Sequence, residues 1–155
     1  MAGHEDKAGA APLADLLCFS VYATGLAFNR LYRPLLEPMG LTYPQYLVMQ
    51  LLWAGDGCAV KEIGRTLKLE SNTLTPLLKR LEGMGLIARR RDGADERVVR
   101  IALTPKGQAL RPEAAEVVRC VADVIGMDED ELGDLSRTLA RLRDRLAAAA
   151  ERTGD

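Results

Sequence analysis

Glu70–Thr104 reads ESNTLTPLLKRLEGMGLIARRRDGADERVVRIALT, and this stretch decides the fold. Leu74, Leu77, Leu78 and Leu81 recur at spacings of three and four, which sets them along one face of a helix. Thr73, Thr75, Lys79 and Arg80 are left on its other faces. Met84-Gly85 supplies a residue suited to the left-handed conformation that ends helices. Leu86 to Arg91 then predicts a strand, Asp92-Gly93 a turn, and Arg97 to Leu103 a second strand in which Val98, Val99 and Ile101 favour extended backbone. A helix with a polar face followed by a basic hairpin has the form of a winged helix-turn-helix. A hairpin laid on a helix in an unrelated α+β domain has the same local pattern, so the charge must weigh between them.

The whole chain of 155 residues has a formal net charge of −1, which by itself points to no nucleic acid. The distribution differs. Lys61 to Arg111 holds 12 Lys/Arg against 6 Asp/Glu, a local +6, and the remainder carries −7. Such asymmetry implies an anion-binding face on an acidic body. Hydrophobic residues make up 48% and aromatic ones only 5%, which suits an Ala/Leu-rich helical build in one compact domain or one subunit of a small oligomer. The opening MAGHEDKAGAAP has no apolar core of signal-peptide length, and no apolar run elsewhere approaches the roughly 20 residues of a membrane span. A cytoplasmic protein with no membrane association is therefore expected. Its cysteines, Cys18, Cys58 and Cys120, are too few and too widely spaced for a disulfide framework, and no C-x-x-C pair is present.

Residues 1–11 are small and polar and read as a disordered tail. A long amphipathic helix is expected from Pro12 to Leu36, with Cys18 in its second turn and Pro34 bending or ending it. Thr42-x-x-Gln45 is a capping box, with Leu41 and Tyr46 as its hydrophobic staple, and opens a nearly all-apolar helix from Tyr43 to Trp53. Ala54–Gly57 is a loop, and Cys58 follows it ahead of the next helix. Val60–Leu67 is a short, poorly capped helix, which with the next one makes a helix-turn-helix pair. Thr104-Pro105 starts a helix running through Val124. Asp128-x-x-Glu131 is a second capping box, ahead of a helix whose Leu132, Leu135, Leu139, Leu142 and Leu146 form a heptad seam. A seam of this kind packs inside its own fold or against a second copy. The unpartnered N-terminal helix favours the second.

If the stretch binds DNA, its helix enters the major groove by its N-terminal residues. Ser71, Asn72, Thr73 and Thr75 then reach base edges or phosphates, and Lys79 and Arg80 the backbone. The wing offers Arg89, Arg90, Arg91, Arg97 and Arg100, with an arginine near the tip suited to the narrow minor groove. Asp95 is placed to hold Arg97 by a charge-assisted bond. The bland alternative is a solvated charged face, which five arginines in twelve positions after a helix-turn-helix make less apt.

The stretches LCFSVYATGLAFNRLYRPLLEPMGLTYPQYLVMQLLW, VKEIGRTLKLESNTLTPLLKRLEGMGLIARR and DERVVRIALTPKGQAL resemble the MarR family of bacterial repressors, and within it the organic hydroperoxide resistance regulators. The similarity spans roughly Leu16 to Leu110. It implies a mainly α fold with a small β-wing: a single unit over 12–155, with 12–40 and 105–152 as dimerisation helices around a winged helix-turn-helix at 41–104. It implies a homodimer on a palindromic, inverted-repeat operator in double-stranded DNA, released when organic hydroperoxide oxidises Cys18. Tyr32 and Tyr43 match the tyrosines that hydrogen-bond this thiolate from the partner subunit. Cys120 lies in the region where the two-cysteine type of these regulators carries a resolving thiol. Asn72 stands where the family pattern has glycine. The chemistry of the residues agrees in kind, because a thiolate is favoured near a helix N-terminus and by hydroxyl donors.

Rival readings fit less of the chain. A thiol peroxidase would use a reactive cysteine too, but its α/β scaffold is missing from the pattern and the basic wing would go unexplained. The only histidine is His4, in the expected tail, so histidine acid–base or triad chemistry is not expected and neither a metal nor another cofactor is implied. Gly55-Asp56-Gly57 lacks phosphate-loop spacing. A repressor of the same fold released by a non-covalent phenolic or lipophilic ligand remains the alternative, and it would respond without Cys18.

Overall fold

A computed structural model describes residues 12–153, and the expected tail at 1–11, with His4, lies outside them. Leu13–Asp15 form a 3-10 turn closed by the Leu16 N–H on the Leu13 carbonyl, and Leu16 itself is extended. Helix α1 (Leu17–Leu36) therefore starts five residues later than the sequence predicts. Cys18 sits in its first turn, not its second. Pro34 neither ends nor interrupts the helix, which closes through a 3-10 turn at Glu37–Met39 and a left-handed Gly40 (φ 66°).

Both halves of the capping box precede α2 (Tyr43–Ala54): the Thr42 N–H donates to Gln45 Oε1 (2.9 Å) and the Gln45 N–H to Thr42 Oγ1 (3.5 Å). This helix is the centre of the core, with Val48, Met49 and Leu52 at 1% exposure or less. Burying a side chain of that size contributes about 1.5–3 kcal/mol. Cys58–Ala59, expected as loop, form a two-residue strand β1. Two residues carry no alternation, so sequence alone gives no strand signal there. Helix α3 (Val60–Leu67) has no capping side chain at Ala59, but the Glu62 carboxylate accepts from the Ala59 N–H at 2.8 Å.

Helix α4 (Ser71–Gly83) buries Leu74, Leu77, Leu78 and Leu81, the stripe read from the sequence. Left-handed Gly85 (φ 74°) ends it in a paired turn, its N–H donating to Glu82 O (2.9 Å) and the Leu86 N–H to Leu81 O (3.1 Å). Strands β2 (Ile87–Arg91) and β3 (Val99–Leu103) pair antiparallel, with Ile87 opposite Leu103 and Arg91 opposite Val99. β1 pairs on the other edge, Cys58 opposite Ile101, giving the order β1-β3-β2. Arg97 lies in the wing turn and not in β3. The turn is not a two-residue Asp-Gly turn but spans 92–98, closed by Asp92 N–H on Val98 O and Val98 N–H on Asp95 O.

The helix expected from Pro105 onward is split at Leu110 into α5 (Pro105–Ala109) and α6 (Arg111–Ile125). Pro112 has no N–H to give the Gln108 carbonyl, so the ladder restarts. Helix α7 (Glu129–Thr153) begins at the second capping box, Asp128 N–H to Glu131 Oε2 (3.1 Å) and Glu131 N–H to Asp128 Oδ1 (2.9 Å). The chain divides into two compact units between Val117 and Val118. In the first, Leu17, Val21, Tyr22 and Leu26 leave an apolar face of α1 exposed; in the second, Leu135, Leu139 and Leu146 do the same on α7. Among the described residues no helix is long and apolar enough to cross a membrane.

Candidate nucleic-acid interface and thiol site

The leucine stripe of α4 faces the core, so its opposite face is presented outward: Ser71, Asn72, Thr73, Thr75, Lys79 and Arg80 are all exposed. No side chain caps the N-terminus of α4, where Glu70 is the N-cap. The Thr73 N–H turns back to the Glu70 carbonyl (3.0 Å), so it is the Ser71 and Asn72 amides that face an outside acceptor, and a helix N-terminus favours an anionic one. Pro76 sits inside the helix and has no N–H to give the Asn72 carbonyl.

In the wing, Arg90, Arg91 and Arg97 are exposed, and the Arg97 side chain keeps 92% of its surface in solvent. Asp95 holds Arg97 twice through Oδ1, from its backbone N–H (3.0 Å) and from Nε (3.2 Å), the pairing read from the sequence. Asp92 organises the turn: Oδ1 accepts from the Ala94 and Asp95 N–H groups (2.7 and 3.2 Å), while Oδ2 accepts from Arg100 Nε. Those bonds hold the Asp92 carboxyl down at about 2, the Arg100 bond foremost. Arg100 also donates from Nη1 to Gly57 O (3.0 Å). Arg89 departs from expectation. It turns back onto α4, with Nε 3.3 Å from Glu82 Oε2, and its Nε and Nη2 are buried without an aligned hydrogen-bond partner. That contact is Coulombic, and it withdraws Arg89 from the outer face of the wing.

The thiol residues are distributed differently. Cys18 is exposed in the first turn of α1, where the helix dipole still acts. Tyr32 and Tyr43 pack together with ring centroids 4.6 Å apart. Two residues not singled out as site residues complete the cluster: Tyr46 lies 5.8 Å from Tyr32, and Phe28 lies 6.5 Å from it. Gln50 Nε2 donates to the Tyr46 hydroxyl at 2.6 Å. Burial pushes the Tyr32 phenol up to about 12, with Tyr43 and Tyr46 adding to it, and burial raises Tyr43 as well. Both therefore stay protonated and able to donate. Within one chain they cannot serve Cys18, because Tyr32 is fourteen residues along the same helix, ~21 Å at 1.5 Å per residue.

Cys58 donates from Sγ to Gly55 O (2.9 Å), and burial, Glu62 and Asp56 raise its thiol against the opposing pull of Arg100. It is a poor nucleophile. Cys120 is half-buried on α6, in the second unit. A cleft of about 550 Å³ opens between the end of α1 and the start of α2, lined by Asn29, Arg33, Glu37, Thr42 and Tyr43 among others.

The chain is similar to known transcriptional regulators over most of its length. Residues 30–113 match the transcriptional regulator SarA/Rot family. The chain is 51% identical over 141 residues to the HTH-type transcriptional regulator TtmR of Methylorubrum extorquens (strain PA1), covering 91% of this chain and 72% of that protein. It is 39% identical over 142 residues to the organic hydroperoxide resistance transcriptional regulator of Bacillus subtilis (strain 168), covering 92% and 97%. Reduced AbfR bound to DNA, from Staphylococcus epidermidis, matches with a TM-score of 0.73 at 37% identity, over 86% of this chain and 93% of that one. These relatives are transcriptional regulators rather than enzymes.

Proposed function

The chain belongs to the SarA/Rot and MarR type of winged-helix, DNA-binding transcriptional regulators, akin to the organic hydroperoxide resistance regulators, and on that footing we propose that it is a peroxide-sensing repressor. In this reading it acts in the cytoplasm as a homodimer. It holds an inverted-repeat operator in double-stranded DNA through Ser71, Asn72, Thr73, Thr75, Lys79 and Arg80, with Arg91 and the Asp95-held Arg97 on the wing. Cys18 is the sensor. One observation carries the reading: an exposed thiol in the first turn of α1, on a chain whose packed, protonated Tyr32–Tyr43 pair is beyond that thiol's own reach. A second copy, docked through the apolar face of α1, supplies the donors.

The chemistry is then simple. The Cys18 thiolate attacks the outer oxygen of an organic hydroperoxide, the O–O bond breaks, and an S–O bond forms. Sulfur is oxidised by two electrons to the sulfenic acid, and the peroxide leaves as alkoxide and takes a proton. Condensation with the Cys120 thiol of the partner subunit releases water and forms a disulfide. Either product changes the helices that space the two recognition helices. Two-fold readers need about one DNA turn, ~34 Å, between them, so a small rotation weakens both half-sites together.

Two measurements test this. Selection of random duplexes by the reduced protein should return an inverted repeat with half-site centres about 10 bp or a multiple apart; enrichment without two-fold symmetry contradicts it. Peroxide treatment should give a dimer band on a non-reducing gel that Cys120→Ser abolishes, and a band that survives unchanged removes Cys120 from the scheme. The α1–α2 cleft, lined by Tyr43, favours a second reading in which a phenolic or lipophilic ligand releases the DNA; that response would persist in Cys18→Ser.

A further inference from the structure

Sequence places Arg100 with the other wing arginines, among the residues that meet DNA. Its surroundings argue otherwise. Arg100 lies on the central strand β3, opposite Arg90 of β2 and Ala59 of β1. Its guanidinium forks between two segments far apart in sequence, Nε to the Asp92 carboxylate in the wing turn and Nη1 to Gly57 O in the loop before β1. That loop is itself fixed, because Asp56 Oδ1 accepts from the Gly57 N–H (2.9 Å) and from the Leu103 N–H at the far end of β3 (2.8 Å). From Asp92 the connection continues outward through the Ala94 and Asp95 N–H groups, and Asp95 grips Arg97 by both its backbone and its Nε. An unbroken series of hydrogen bonds thus joins the body of the domain to Arg97, whose side chain is 92% exposed.

We propose that Arg100 is a positioning residue for DNA binding: it braces the wing turn on the Gly57 loop and so fixes where Arg97 is held, without touching DNA itself. The inference rests on the proposed reading that Arg97 contacts the operator. Two features separate a brace from a phosphate contact. The Asp92 carboxylate, with only 16% of its side chain exposed, already neutralises Arg100, and Glu62 lies within electrostatic reach of it as well. The fork also needs the planar, two-directional donor set of a guanidinium, which a single ammonium cannot reproduce.

The test is operator affinity of the full-length reduced protein for four variants: Arg97→Ala, Arg100→Lys, Asp92→Asn and the double variant Arg97→Ala/Arg100→Lys. Asparagine at 92 can still cap the turn but loses the charged partner. Loss of one good wing contact costs about tenfold in affinity. We expect Arg100→Lys and Asp92→Asn each to weaken binding by no more than Arg97→Ala does, and the double variant to bind as Arg97→Ala alone. The Asp92 arm discriminates by sign. Removing a negative charge near DNA should tighten binding if charge alone matters, whereas loss of the brace weakens it. Wild-type affinity in Arg100→Lys, tighter binding by Asp92→Asn, or additive losses in the double variant each overturn the brace. Wild-type affinity in Arg97→Ala instead overturns the wing contact on which it rests.

Discussion

Gly107→Ala should be among the most damaging single-methyl changes in this chain. A Cβ built at Gly107 would lie 2.0 Å from the Leu86 carbonyl oxygen, 3.0 Å from its carbonyl carbon and 3.3 Å from Leu103 Cδ2. Ordinary contact begins near 3.4 Å, so α5 must retreat from Leu86, the residue before β2, by more than an ångström. Leu86 cannot yield cheaply, because its oxygen also accepts from the Thr104 N–H (3.1 Å) and its side chain is 1% exposed. The retreat also breaks the buried bond from Trp53 Nε1 to Gly107 O (3.0 Å). Overpacking costs typically 1–3 kcal/mol and a lost buried hydrogen bond about 1, giving about 3 kcal/mol together. At about 2–4 °C per kcal/mol for a chain of this size, the melting temperature should fall by roughly 6–12 °C. Trp53 is the only tryptophan, so its emission should move to the red in the native state of the variant. A melting temperature within 2 °C of wild type, with unchanged emission, would refute the packing argument.

Further consequences can be checked separately. Lys79→Ala and Arg80→Ala should each weaken binding to operator and to random duplex alike, and lower the slope of log K against log salt by about one; a loss confined to the operator would assign them to bases instead. The Asp92 carboxyl is depressed from 3.8 to about 2, so the turn it supports is complete above about pH 4 and is lost as pH falls through about 2. Amide NMR shifts of Ala94 and Asp95 should titrate with a midpoint near 2, and a midpoint near 4 would mean an unpaired carboxylate. Tyr32→Phe should slow the peroxide oxidation of Cys18 by removing a donor to the thiolate. Cys58 should react slowly in both proteins, and an unaltered rate of Cys18 oxidation would remove Tyr32 from the site.

Much of the fold is legible because it depends on local rules. The leucine stripe of α4, the Gly85 turn and both capping boxes each follow from residues within one or two helical turns. What escapes the sequence depends on partners far along the chain. β1 exists because Cys58 and Ala59 fall beside Ile101 and Arg100, more than forty residues away. The wing turn takes its shape from an Asp92 carboxylate that Arg100 anchors, and not from the Asp-Gly dipeptide. The α5–α6 break follows from Pro112, and the late start of α1 from an extended Leu16; both are small departures from a periodicity that continues across them. In the site, Asp95 and Arg97 are legible at a spacing of two. Arg89 reads as a wing arginine but pairs with Glu82 on a neighbouring element. Tyr46, read as a staple, joins Tyr32 and Tyr43 only once α1 and α2 pack together.

In the proposed reading Cys18 decides when the protein leaves DNA. The most direct measurement is a gel shift on the selected inverted repeat, before and after organic hydroperoxide, for wild type and Cys18→Ser. Both should bind when untreated, peroxide should release the wild type, and Cys18→Ser should stay bound. Release of Cys18→Ser by the same peroxide would contradict it.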